Sequence, residues 1–185
     1  MKTITLLAAA LLSSGTASAA LLATGLPVTA TLNGSADGLL GLDHGYQAEP
    51  GSNTTALTDD DIEFIAADFS FMLDLGSDGR LRVYDNTGTG LLDGLRVVDL
   101  NFADAGLHLG GASLLGALPG GQVSFESLGP QSLRITLQDV QLGSAFASFD
   151  AQLANAVPEP STAALVGLGL LGLALRRQTF RRSTR

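Results

Sequence analysis

The sequence predicts a mainly β protein whose central domain is an antiparallel β-sandwich. Apolar and polar residues alternate with a period of two along several segments of the 185-residue chain, as is typical of strands that bury one face. Turns rich in glycine and proline separate these segments, and short strands joined by such turns favour a sandwich. Two apolar segments near the chain ends do not alternate and predict different roles.

The chain begins with a segment typical of a secretory signal peptide, residues 1–19. Lys2 supplies the positive charge, a short apolar run follows, and Ala17 and Ala19 match the small-residue cleavage pattern. Cleavage is expected before Ala20, so signal peptidase and the Sec machinery are predicted partners. The short run, without a stop-transfer pattern after it, disfavours a first membrane-spanning helix.

Residues 20–156 have the length typical of one domain. They contain four arginines, no lysine and seventeen Asp and Glu, which gives a net charge of −13. A surface this acidic repels nucleic acid and argues against a polyanionic partner. The chain has no cysteine, so this domain has no disulfides, and thiol catalysis is excluded.

The clearest alternation predicts a hairpin of residues 69–75 and 80–84, joined by a turn at 76–79, in which Asp74 is expected to face Arg80. Further strands are predicted around the alternating apolar residues that follow. These include Val98, Leu100 and Phe102 after Arg96; Leu107 and Leu109 around His108; Val123 and Phe125; Leu133, Ile135 and Leu137; and Ala147, Phe149, Ala151 and Leu153.

Two segments of this domain are predicted not to be strands. Residues 58–67 are predicted to form a short helix, because Thr58 is a favourable N-cap and three aspartates follow it in the first turn. Residues 34–52 contain five glycines and a proline and are predicted to be a loop.

One segment partly matches a calcium-binding EF-hand loop. Asp74, Asp78 and Asp85 stand at three positions where the side chains of that loop bind calcium. Gly76 stands where another ligand is needed, and the flanking residues alternate like strands rather than helices. A hairpin turn is therefore the favoured interpretation. Calcium binding by these three aspartates is the weaker alternative, and no cofactor is predicted.

No other pattern of residues indicates a reaction. Asp59, Asp60, Asp61 and Glu63 are interpreted as a solvated helix start rather than a metal cluster. The two histidines, His44 and His108, are far apart and show no ligand spacing. The sequence has no nucleophile elbow and no phosphate loop. The many acids leave open a carboxylate pair for glycoside hydrolysis.

The C-terminal segment, residues 157–185, has three parts in a fixed order. Pro158 and Pro160 favour an extended strip, because proline lacks the amide hydrogen of a helix and disfavours helix before it. Residues 161–175 then carry no charge and predict a single helix of roughly 22 Å, short for a bilayer core of about 30 Å but tolerable with local thinning. The cluster of Arg176, Arg177, Arg181 and Arg182 is typical of a cytoplasmic end.

The order of Val157, Pro158, Glu159, Pro160 and Ser161, an apolar run and an arginine cluster closely resembles the PEP-CTERM sorting signal of Gram-negative bacteria. The resemblance spans residues 157–182 and implies an address, not an activity. It implies recognition by exosortase, an integral-membrane cysteine enzyme. It also implies transient anchoring in the inner membrane, removal of the tail near the Pro-Glu-Pro, and delivery to the cell surface or an exopolysaccharide matrix.

The leading hypothesis is therefore a non-enzymatic envelope or matrix protein, with exopolysaccharide as a further partner. A secreted hydrolase acting on polysaccharide is one alternative, and a module that binds carbohydrate, calcium or ice is another. An ice-binding face needs regular threonines, and those present are scattered. A sugar-binding module often exposes aromatic residues, yet the domain has no tryptophan and only two tyrosines, Tyr46 and Tyr84.

Overall fold

The structure, a computed structural model, describes residues 22–156. It contains eleven strands and two short 3-10 helices, Ala36–Gly38 and Leu42–His44. The strands are β1 (Pro27–Leu32), β2 (Leu39–Gly41), β3 (Thr54–Ala56), β4 (Phe64–Ala66), β5 (Phe71–Leu75), β6 (Arg80–Asp85), β7 (Leu91–Phe102), β8 (Leu109–Leu114), β9 (Gly120–Gly129), β10 (Ser132–Gln141) and β11 (Ser148–Asn155).

The strands form two antiparallel sheets around one core. The first sheet has the order β3-β1-β7-β10-β9, and the second has the order β2-β4-β5-β6-β11-β8. Apolar side chains at alternate positions of both sheets are buried in a single cluster, as expected where each sheet has one apolar face. The predicted mainly β, antiparallel architecture is confirmed.

The hairpin of β5 and β6 is confirmed, with two corrections. Asp74 lies opposite Arg82 rather than Arg80, because Leu75 pairs with Leu81 and the turn takes up residues 76–79. Phe69 does not belong to the buried row. It precedes β5 in a left-handed backbone conformation, with φ of 56°, and 59% of its surface is exposed.

The later alternations form strands of both sheets, of which β7 and β10 are long inner strands of the first sheet. Val98, Leu100 and Phe102 of β7 and Leu133, Ile135 and Leu137 of β10 are buried. Leu107 and Leu109 are buried around an exposed His108. Arg96 begins the buried row of β7, where its guanidinium bonds Asp68 at 3.0 Å and lies 5.6 Å from the ring centroid of Phe71.

The predicted helix at 58–67 is wrong. Thr58 caps only a turn, in which its Oγ1 accepts the N–H of Asp61 at 3.2 Å. The chain then extends, and Phe64 and Ala66 of β4 bury alternate side chains between β2 and β5. Pairing on both sides of β4 satisfies its backbone groups and outweighs the local helix preference.

The predicted loop at 34–52 is only partly correct. It contains both 3-10 helices and also β2, in which Leu39 pairs with Ala66 and Gly41 with Phe64. Gly41 is needed at this position, because a Cβ there would lie 2.9 Å from the carbonyl oxygen of Ser52. The sequence also predicted neither β1 nor β3, which form one side of the first sheet.

The two ends of the sandwich carry different segments of the chain. Both ends of the described chain reach one of them, since Leu22 N donates to Ser77 O and Leu153 N donates to Gly79 O. We call this the exit end, because Ala156 leaves the fold there. The opposite end, the far end, carries loops 33–38, 67–70, 86–90, 115–119 and 142–147.

Candidate functional site

The sequence-predicted sorting and targeting residues lie outside residues 22–156. They comprise Ala17, Ala19 and Ala20 of the signal cleavage site, the sorting strip Val157, Pro158, Glu159, Pro160 and Ser161, and the arginines Arg176, Arg177, Arg181 and Arg182. The predicted membrane helix at 161–175 also lies outside. Between residues 22 and 156, no helix combines the length and apolarity that a bilayer span requires.

The structure does describe how the chain arrives at the sorting strip. β11 is an inner strand of the second sheet, paired with β6 on one side and β8 on the other. Its last pairing joins Asn155 to Leu109, and Ala156 N donates to His108 O at 2.6 Å. The fold therefore holds the chain up to the residue that precedes Val157.

The three calcium candidates are not brought together. Asp74 and Asp78 lie at the exit end, whereas Asp85 ends β6 and lies at the far end. Both Asp74 and Asp78 already have partners, since Asp74 accepts the Tyr84 hydroxyl at 3.3 Å and Asp78 accepts Arg80 N–H at 2.8 Å. No group of three or more His, Asp or Glu side chains within 22–156 is arranged to hold a metal ion.

An open depression of about 310 Å³ lies at the exit end beside the β5–β6 turn. Its lining includes Asp59, Asp74, Ser77, Asp78, Arg80 and Arg82. Asp59 is used to fix this turn, because its carboxylate accepts Ser77 N at 2.7 Å and Thr24 Oγ1 at 3.3 Å. The backbone N–H of Ser77 and its hydroxyl hold the pKa of Asp59 below its ordinary value.

Asp150 forms ion pairs with both arginines of the depression. Arg82 Nε lies 2.6 Å from Asp150 Oδ1, and Arg80 Nη2 lies 2.5 Å from Asp150 Oδ2. The bond from Arg82, reinforced by Arg80, lowers the pKa of Asp150 although burial opposes it. Burial raises the pKa of Asp74, and the Tyr84 hydroxyl and Arg82 partly offset that rise. The charged groups of the depression therefore already have partners: backbone N–H groups or a tyrosine hydroxyl for the aspartates, and Asp150 for the arginines.

Glu63 is a buried acid that sequence reasoning placed at a solvated helix start. It has no exposed surface, and its carboxylate accepts the backbone N–H of Thr58 at 2.8 Å and of Leu75 at 2.7 Å. Burial raises its pKa to about 7, although both N–H groups favour the charged form. No local sequence signal distinguishes Glu63 from the exposed acids before it, because its burial results from the packing of loop 57–63 on β5.

Asp85 organises the far end. It is buried, and its carboxylate accepts Thr87 N and Gly90 N, each at 2.8 Å, and Phe146 N at 3.1 Å. Burial alone would raise its pKa, but the bonds from Thr87, Gly90 and Phe146 lower it. Asp85 thus connects loop 86–90 to loop 142–147. Both of its carboxylate oxygens accept hydrogen bonds from these loops, so neither is left to bind a cation.

The histidines do not form a joint site. His44 Nδ1 lies 2.6 Å from Glu49 Oε1 near the surface, and His108 is an exposed residue whose carbonyl receives Ala156 N. The aspartates at 59–61 are exposed, and only Asp59 has the structural role at the turn described above. Among the described residues, the acids and histidines therefore serve mainly as fold contacts.

Sequence reasoning also missed two exposed aromatic residues. It placed Phe69 in the buried row of β5 and did not single out Phe146, which is 68% exposed. Both have positive φ angles, which the sequence pattern cannot reveal for phenylalanine. One partial indication that they are exposed is the small and polar residues around them in loops 67–70, 86–90 and 142–147.

Comparison with known proteins identifies the C-terminal segment. Residues 156–178 match the PEP-CTERM protein-sorting motif, which confirms the resemblance of the Pro-Glu-Pro strip and apolar run. No curated protein and no solved structure matches the chain. The motif implies an exported protein that passes through the membrane and is processed by exosortase, a membrane enzyme. Residues 156–178 therefore form a PEP-CTERM sorting motif, which directly follows the β-rich domain.

Proposed function

We propose that this protein is a non-enzymatic component of the cell surface or extracellular matrix, in which the sandwich is the exported cargo and the tail is a removable address. The observation that carries the proposal is the junction between them. β11 ends at Asn155, and the sorting motif begins at residue 156. A tail attached in this way can be removed without taking any strand from the fold.

The proposed route has two stages. Residues 1–19 direct the chain to the Sec machinery and are removed by signal peptidase. Residues 161–175 then halt in the inner membrane, with the arginines at 176–185 in the cytoplasm, as the positive-inside rule favours. Exosortase acts on the strip at 157–160, where the prolines keep the backbone free of helix bonds.

The exit-end depression supports a structural rather than a catalytic role for the cargo. A glycosidase of the usual kind needs one carboxyl group as acid and a second as base or nucleophile. Asp59, Asp78 and Asp150 instead bond a backbone N–H or an arginine. Asp74 accepts the Tyr84 hydroxyl and lies opposite Arg82, so each of these carboxyl groups already has a structural partner.

The test is cell fractionation with mass spectrometry of the C-terminus, in cells with and without exosortase. Wild-type protein is expected to reach the surface without residues 161–185, and to stay full-length in the membrane fraction when the enzyme is deleted. Surface protein that retains Arg185, or equal release from both strains, would contradict the proposed sorting route.

Two variants separate the steps. Replacing Pro158, Glu159 and Pro160 by alanine should leave membrane insertion intact and block release. Replacing the four clustered arginines by glutamate should disturb retention and orientation, because the cytoplasmic signal is lost. A Leu128→Ser variant changes an exposed residue of the cargo and serves as the control, which should sort like wild type.

A further inference from the structure

Two exposed phenylalanines lie on either side of loop 86–90 at the far end. Asn86 Nδ2 donates to Phe69 O at 2.8 Å. The ring of Phe146 covers Gly88, where a Cβ would lie 2.9 Å from the ring Cζ. Loops 67–70, 86–90 and 142–147 therefore form one surface, which we call the aromatic surface.

Both phenylalanines have unfavourable backbone conformations. Their φ angles are 56° at Phe69 and 55° at Phe146, a region that bulky residues rarely occupy and that glycine or asparagine adopts more easily. The fold imposes these angles, since Phe69 N donates to Ala66 O and Phe146 N donates to the carboxylate of Asp85. Strained residues of this kind cluster at ligand-binding sites.

Exposure of the rings adds a second cost. They are 59% and 68% exposed, so neither ring gains the full benefit of burial in the core. Four of the six large exposed apolar residues in 22–156 lie in or beside the far-end loops, namely Phe69, Leu91, Leu115 and Phe146. Single exposed apolar residues are common on folded proteins, but exposed apolar residues that lie together, as Phe69 and Phe146 do beside loop 86–90, mark interaction sites.

The aromatic surface is electrically neutral within a strongly acidic domain. Asp68 is the one charged residue in its three loops, and Arg96 neutralises it at 3.0 Å. Such a surface offers no attraction to an anionic polymer or an anionic membrane. A second copy of the domain is disfavoured as well, because each copy carries a net charge of −13.

The polar groups between the rings are uncharged. Asn86 Nδ2 donates to Phe69 O at 2.8 Å, Thr87 Oγ1 donates to Asp85 Oδ1 at 2.6 Å, and Thr89 Oγ1 donates to Leu91 O at 3.2 Å. These side chains therefore offer a ligand mainly acceptor oxygens, the amide oxygen of Asn86 among them. Neutral sugar rings have the complementary chemistry, with apolar C–H faces that pack on aromatic rings and hydroxyls that bond such groups. The surface also lies at the end opposite Ala156, where a tail held in the membrane leaves it accessible.

We propose that the aromatic surface binds a neutral polysaccharide, with Phe69 and Phe146 packing on sugar rings and the side-chain oxygens of Asn86, Thr87 and Thr89 accepting hydrogen bonds from the sugar hydroxyls. This activity goes beyond the proposed sorting route and does not depend on it.

The experiment is native affinity electrophoresis of full-chain protein in non-ionic detergent, through gels that contain dextran, laminarin or mannan. Alginate serves as the anionic comparison. Wild-type protein should be retarded by at least one neutral polysaccharide and not by alginate. The variant Phe69→Asn/Phe146→Asn should show at least tenfold weaker retardation and no lower Tm, because asparagine tolerates positive φ.

The control is Leu128→Ser, which removes an exposed apolar residue at the exit end and should be retarded like wild type. Migration of wild type unaffected by all three neutral gels would overturn the proposal, as would equal retardation of the double asparagine variant. A wild type that sediments as a dimer, with the double variant monomeric and no neutral gel retarding either, would assign the surface to self-association instead. None of these results depends on exosortase.

Discussion

Glu63 is the residue whose protonation the fold changes most clearly. Its pKa rises from an ordinary value of 4.5 to about 7 because burial disfavours its charge. Between these pH values the folded state holds a proton that the unfolded state has released. The contribution of Glu63 to stability is therefore largest below pH 4.5, and it declines as the pH rises through about 7.

We predict that Glu63→Gln removes this pH dependence. The wild-type free energy of unfolding should lose up to about 3 kcal/mol from this group between pH 5 and 8. The variant should be less stable than wild type at pH 5, since its amide leaves one of the Thr58 and Leu75 N–H groups without an acceptor.

The measurement is urea unfolding at several pH values, with the difference between the two proteins as the readout. Repulsion among the remaining acids is common to both and cancels in that difference. If the difference between the proteins is the same at pH 5 and pH 8, Glu63 does not titrate in this range.

The pKa of Asp85 is shifted in the opposite direction to that of Glu63. Its bonds from Thr87, Gly90 and Phe146 lower its pKa against the effect of burial. Its contribution to stability is therefore present above its ordinary pKa and is lost as the pH falls through the folded value.

We predict that Asp85→Ala lowers the free energy of unfolding by about 2–4 kcal/mol at pH 7, because buried N–H groups lose their acceptor. Asp60→Ala, at an exposed position, should change stability by less than about 0.5 kcal/mol. Thermal unfolding of both variants checks this, and equal effects would contradict it.

At the scale of elements, two glycines allow the conformational cost of a side chain to be distinguished from its steric cost. Gly121 in β9 and Gly25 before β1 have nearly equal φ angles of 79° and 82°. A Cβ at Gly121 would lie 2.2 Å from the carbonyl oxygen of Asp139, whereas a Cβ at Gly25 meets nothing within 4 Å. Substitution by alanine therefore carries the same conformational cost at both positions and a steric cost only at Gly121.

We predict that Gly25→Ala lowers the free energy of unfolding by about 1–2 kcal/mol, and that Gly121→Ala lowers it by a further 1–3 kcal/mol because β9 must move away from β10. Denaturant unfolding of both variants gives the comparison. A Gly121→Ala variant as stable as Gly25→Ala would show that β9 adjusts without strain at this edge of the sheet.

Alternation predicted those strands that bury one face and are long enough to show the period. The rows of β7 and β10 are of this kind. β2 and β3 have three residues each, too few for a period, and Leu39, Leu40 and Gly41 are all buried. The helix prediction at 58–67 failed because three aspartates after Thr58 favour a turn as well as a helix, and the pairing of β4 decides between them.

The candidate sites also differ in whether the local sequence could predict them. The sorting tail could be predicted because its information is linear, an order of residue types that a membrane and an enzyme read along the chain. Glu63, Phe69 and Phe146 could not, since their roles depend on partners distant in sequence. Leu75 N, which bonds Glu63, lies on the neighbouring strand β5, and loop 86–90 contacts both phenylalanines.

At the scale of the whole molecule, the position of β11 limits where the tail can be cut. β11 is paired on both sides, and β8 lies at the edge of the sheet beyond it. Ala151 and Leu153 are buried in the core. Loss of a buried leucine alone costs about 2–5 kcal/mol, and loss of the strand also leaves the backbone groups of β8 without partners.

We therefore predict that exported protein ends at or after Ala156, and that two truncations behave differently. A chain ended after Ala156 keeps every described strand and should unfold cooperatively, with a free energy within about 1 kcal/mol of wild type. A chain ended after Asp150 loses most of β11 and should be unfolded at 25 °C, because the combined loss is comparable with the total stability of about 5–15 kcal/mol typical of a domain.

Far-UV circular dichroism and urea titration distinguish the two truncated chains, and mass spectrometry locates the natural C-terminus. Cooperative unfolding of the shorter chain, or an exported form that ends before Asn155, would mean that the second sheet is stable without β11 and that the junction does not limit processing.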